Sequence, residues 1–93
     1  MKLHVNFDIG GLAINETIEG ETAADITRKA KLATAGKLGF LAGAFLRSMP
    51  DGDFSREVVR RYNAATGSAC PLPSSMDEFV SWAIHERVAD LVE

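Results

Sequence analysis

The chain has 93 residues and one cysteine, Cys70, with two histidines, one tryptophan and one tyrosine. A single thiol closes no internal disulfide and builds neither a Cys-rich zinc site nor a redox pair, which excludes the disulfide-scaffold class. Long apolar runs are also missing: the longest uncharged one, residues 38–46, has nine positions. A helix crossing a bilayer needs about twice that, so this run belongs in a core or an interface. No apolar leader follows Met1 and Lys2, because Leu3, Val5 and Phe7 alternate with His4, Asn6 and Asp8; the expected address is a reducing cytoplasm. A hydrophobic fraction of 46% with a net charge of only −3 excludes a disordered chain. The length predicts one small globular domain over 1–93. A core of that size leaves a thin stability margin, and oligomerisation is one ordinary remedy.

Reactive constellations are scarce as well. His85 and Glu86 open half of an HExxH zinc motif, but the second histidine would fall at Ala89. Asp51, Asp53 and Ser55 have the spaced oxygens of a calcium loop, yet Arg56 stands where its glycine is needed and Tyr62 where its closing glutamate is needed. Gly36 and Lys37 resemble the end of a phosphate-binding loop, with Lys31 in place of the first glycine and Leu38 in place of the hydroxyl residue. Cys70 precedes Pro71 in a loop with nothing nearby to lower its pKa, so it is no ready nucleophile. No enzyme, metal or cofactor is expected.

The hydrophobic pattern is more informative. Leu3, Val5, Phe7 and Ile9 share one face of a strand over 2–9, and Leu12, Ile14 and Ile18 share one over 12–19, so with Gly10 and Gly11 between them the first element reads as a hairpin. Glu16 is the one acid on that apolar face. Thr22 and Asp25 form a capping-box variant that starts a helix over 23–35. Leu38, Leu41, Phe45 and Met49 recur at helical spacing and predict a second helix over 37–49, continuous with the first or separated from it at Gly36. Asp53 reads as the cap of a third helix over 54–66, closed by Gly67. Ser75 and Glu78 form a full capping box for a fourth, whose apolar stripe runs over 76–92 through Phe79, Val80, Ala83, Val88 and Leu91. The fold class is therefore α+β, a hairpin packed against three or four helices. Two strands alone are marginal, so a helix layer, a third strand from 38–46 or a second copy must complete the sheet.

Three features invite a functional reading. Ala35, Gly39 and Gly43 are small residues four apart; interior glycines cost about 1 kcal/mol each in a helix, so close packing should repay Gly39 and Gly43. Their groove takes either the hairpin or the last helix of the same chain, or a second copy, with Phe40 and Phe45 as neighbouring anchors. Charge is unevenly spread: residues 1–25 carry −4, 26–61 carry +5 and 62–93 carry −4. Arg28, Lys29, Lys31, Lys37, Arg56, Arg60 and Arg61 could converge on nucleic acid phosphates, or form solvated helix faces paired in the manner of Glu57 and Arg61. Trp82 falls nearly opposite the main stripe of its helix, and packs on Pro71, Leu72 and Pro73 or meets a partner.

The leading expectation is a non-enzymatic cytoplasmic protein-interaction domain, homodimeric, working through Gly39, Phe40, Gly43, Phe45 and Trp82 or through the hairpin edge. A small nucleic-acid-binding regulator using the basic segment is the alternative, and an enzyme without a recognisable motif the third. No membrane partner is expected.

Overall fold

A computed structural model describes residues 1–9 and 11–92. The alternation at the start of the chain forms β1 (Lys2–Ile9) and β2 (Leu12–Glu19), antiparallel, with Lys2 opposite Glu19 and Ile9 opposite Leu12. Gly10, half of the expected turn, lies outside the described residues. Its neighbour Gly11 has φ +88°, a left-handed value that glycine adopts without strain. Leu3, Val5 and Phe7 from β1 and Leu12, Ile14 and Ile18 from β2 are buried on one face, which the helices cover. Lys2, Asn6, Asp8, Asn15, Thr17 and Glu19 on the other face are exposed. Glu16, on the inner face of β2, is exposed too, and places a carboxylate on the outer strand of the sheet.

Four helices follow: α1 (Ala23–Ala35), α2 (Phe40–Ser48), α3 (Asp51–Thr66) and α4 (Met76–His85). Two start where the capping residues predict. Thr22 Oγ1 accepts the Asp25 N–H at 3.1 Å while the Asp25 carboxylate accepts the Glu21 N–H, and Ser75 Oγ accepts the Glu78 N–H at 3.1 Å. α3 starts three residues earlier than expected. Pro50, not Asp53, occupies its cap with its carbonyl accepting the Phe54 N–H, and Asp51 and Asp53 sit in the first turn, beside the positive end of the helix. Gly67 closes it in the left-handed region at φ +70°.

Two boundaries differ more. The helix expected over 37–49 begins only at Phe40, because the chain leaves α1 through tight turns at Lys37 and Leu38 and turns extended at Gly39. The helix expected over 76–92 stops at His85. There the Val88 N–H reaches the Ala83 carbonyl at 2.8 Å and the Arg87 N–H reaches Ile84, the two bonds of a Schellman motif. Arg87 takes the left-handed position at φ 61°, where glycine is usual. The chain reverses into β3 (Ala89–Leu91), which pairs antiparallel with β1, Val5 opposite Ala89. The sheet thus has three strands in the order β2-β1-β3, and its third strand comes from the end of the presumed helix, not from 38–46.

A single apolar cluster joins the sheet to α1, α3 and α4, with Phe54, Val58 and Val59 almost wholly enclosed and Phe54 meeting Phe79 edge-on at 6.2 Å. α2 adds only Gly43 and Leu46 to the buried set. No helix among the described residues is long and apolar enough to cross a membrane.

Candidate interaction surface

α2 is apolar at every position from 40 to 46, so its sequence alone does not say which side faces inward. The residues at helical spacing, Leu38, Leu41, Phe45 and Met49, do not form one buried stripe. Leu38 and Met49 lean on the core, but Leu41 is 80% exposed and Phe45 69%, while Phe40 is 87% exposed. The inward side is set by Gly43. A β-carbon there would lie 2.8 Å from the Ala35 carbonyl oxygen, so only glycine lets α2 rest against the end of α1. Leu46, one turn further, completes the contact.

This places the predicted small-residue groove plainly. Ala35 and Gly43 do meet, as α1 against α2 within one chain, and Gly43 is spent on that contact. Gly39 is not on the groove; it is the N-cap of α2, with open space where its β-carbon would be. Phe40 and Phe45, the two expected anchors, are exposed, and Leu41 is exposed with them. Beside them a half-open groove of about 520 Å³ runs between the hairpin, α2 and α3. Leu12, Leu38, Ala42, Phe45, Leu46 and Met49 line it, with Glu57 and Arg61 from α3.

Most cations of the basic segment are engaged within the chain. Lys31 is buried, and its ammonium donates to the Met49 carbonyl and meets the Asp51 carboxylate, each at 2.7 Å, with the Arg47 carbonyl at 3.5 Å. It ties α1 to the α2–α3 junction and offers nothing to solvent. Arg28 pairs with Asp25, Arg56 with Asp53, and both Arg60 and Arg61 with Glu57, whose carboxyl these two arginines hold below its ordinary pKa. Lys29 donates to the Glu19 carbonyl at the end of β2, and Lys37 is exposed beside the hairpin. Of the seven cations, one is internal and four answer acids on their own helices.

Trp82 is half-buried. Its ring stacks on Phe79 at 5.9 Å, meets Tyr62 edge-on at 5.1 Å, and lines an open groove with Pro71, Leu72 and Pro73 of the loop between α3 and α4. Its Nε1–H is enclosed without an acceptor. Next to it Glu86 gathers three neighbours: Tyr62 Oη donates to Oε1 at 2.9 Å, the Cys70 thiol approaches the same oxygen at 3.7 Å, and His85 Nδ1 lies 2.9 Å from Oε2. The Tyr62 and His85 contacts lower the Glu86 pKa. Asn63 fixes the Cys70 backbone through two hydrogen bonds. Cys70 and His85 thus address different oxygens of one carboxylate, an arrangement that fastens the loop and gives the thiol no imidazole base. Among the described residues no three His, Cys, Asp or Glu side chains are grouped to hold a metal.

No family model, no curated protein and no solved structure matches this chain.

Proposed function

We propose that the chain is a non-enzymatic protein-interaction domain whose docking surface is the outer side of α2. One observation carries this reading: Phe40, Leu41 and Phe45 stand 87%, 80% and 69% exposed on a nine-residue helix. Covering a large apolar side chain is worth about 2 kcal/mol, and a helix apolar all round is ordinarily enclosed. Three such residues side by side exceed the scattered exposure of an ordinary surface, and the adjoining groove supplies the concavity that an apolar partner residue fills.

The hairpin edge is a poorer surface for the same purpose. Glu16 on the inner face of the outer strand opposes strand addition, a common device against edge pairing. The nucleic-acid reading draws little support from a basic segment whose charges are mostly answered within the chain.

The test replaces the three residues together, Phe40→Ser, Leu41→Ser and Phe45→Ser. At a few micromolar protein the triple variant is expected to melt within a few degrees of wild type and to lose binding of a fluorescent apolar dye. A fall in melting temperature as large as core truncations produce would mean that α2 packs inward through these residues, and would sink the reading.

A further inference from the structure

We infer that the occupant of the α2 surface is a second copy of the same chain, related by a two-fold axis that sets the α2 helices antiparallel. The inference rests on the docking reading above and names its partner.

Three observations point to self-recognition. First, the surface carries both halves of a contact. Phe40 and Leu41 project from α2, while Ala42, Phe45 and Met49 open the groove toward Leu12 on the neighbouring side. A two-fold interface must be complementary to itself, and a ridge beside a hollow on one patch meets that requirement, since each copy's ridge can enter the other's hollow. Second, few charges stand at the patch to call for opposite ones. Glu57 and Arg61 by the groove are bonded to each other, and Arg47, the only ionic residue of α2, lies back toward Gly43, its guanidinium 3.3 Å from where a β-carbon there would stand. Antiparallel α2 helices also oppose their dipoles.

Third, the area fits a small dimer. Two phenylalanines and a leucine at these exposures, with their neighbours, present roughly 500 Å² of apolar surface. Two copies bury about 1,000 Å², at the lower limit for a specific interface and in the range of reversible ones.

Sedimentation velocity from about 5 to about 500 μM tests this. Wild type is expected to move from 10.0 kDa toward twice that mass. The Phe40→Ser, Phe45→Ser double variant stays at the monomer mass with an unchanged circular dichroism spectrum, and Leu41→Ser, a milder change, weakens association several-fold. In a Cys70→Ser background, Ala44→Cys on the exposed side of α2 forms an intermolecular disulfide on mild oxidation, and Leu72→Cys on the far loop does not. A wild type that remains monomeric at the highest concentration overturns the second copy, as does a dimer that the double variant leaves intact. Hydroxyl-radical footprinting of the monomer then separates the two readings. Rapid oxidation of Phe40 and Phe45 leaves the docking surface standing for another partner, and protection of both rings in a monomer overturns the docking surface too.

Discussion

α1 and α2 lie one after the other, and the less apolar of the two is the more deeply buried. α1 encloses seven of its 13 residues, among them Thr27, Lys31 and Thr34; α2, with apolar residues throughout its first two turns, encloses two of nine. Position decides this. α1 packs against β2, α2, α3 and α4, so even its polar residues are covered and must find partners. Thr27 and Thr34 donate back to the Ala23 and Ala30 carbonyls at 2.8 Å, and Lys31 reaches across to the α2–α3 junction. α2 touches the rest mainly along α1 and leaves its aromatic residues outside. Polarity enclosed and satisfied is a structural feature; apolarity left outside is the surface we propose for docking.

Variants can break or sharpen that contrast. The largest effect is expected from Lys31→Ala, which leaves the Met49 carbonyl and Asp51 without their cation and should cost about 3 kcal/mol in urea unfolding. A loss below about 0.5 kcal/mol would mean that α1's buried charge contributes nothing. Gly43→Ala should follow at about 1–2 kcal/mol. The new methyl meets the Ala35 carbonyl oxygen, and that clash outweighs a helix-propensity gain of about 1 kcal/mol. Arg87→Gly should stabilise by about 1 kcal/mol by relieving a left-handed residue at the end of α4. On the outer side of α2, Phe40→Ser should change monomer stability by less than about 0.5 kcal/mol, the converse of Lys31→Ala.

A pH titration adds a check of another kind. Glu57 titrates below its ordinary value in the folded chain because Arg60 and Arg61 bond its carboxylate. Its contribution is therefore complete above the unfolded glutamate pKa and is lost as pH falls through the lowered folded one. Glu57→Gln should give a shallower loss of stability across that acid range; an unchanged acid slope would show that the pairs are loose in solution.

Local signals in the sequence foretold much of this fold. The period-two alternation bounded by Gly10, Gly11 and Gly20 marked the hairpin, and Thr22 and Ser75 marked two helix starts, because each depends on neighbours a few residues away. Three things were hidden for physical reasons. α2 has no polar residue before Arg47 to set its phase, so nothing in its sequence marked Leu41 as outward-facing. The end of α4 lacks the usual glycine, and Arg87 in that position let the apolar residues 88, 91 and 92 read as one more helical turn. Lys31 was counted among the solvent-facing cations because its partners, Met49 and Asp51, are brought to it only by the tertiary fold. Of the proposed surface, Phe40 and Phe45 were legible as exposed anchors; Gly43 was legible as a close approach but not as one made within the chain.

The strand order has a consequence for the time course of folding. β1 lies in the centre, held by a near neighbour, β2, on one side and by Ala89, Asp90 and Leu91 on the other. The hairpin can zip within microseconds, whereas the second ladder joins residues from opposite ends of the fold and must wait until the helices have drawn them together. The late step closes the sheet, so refolding followed at the hairpin should run ahead of refolding followed at residues 89–91.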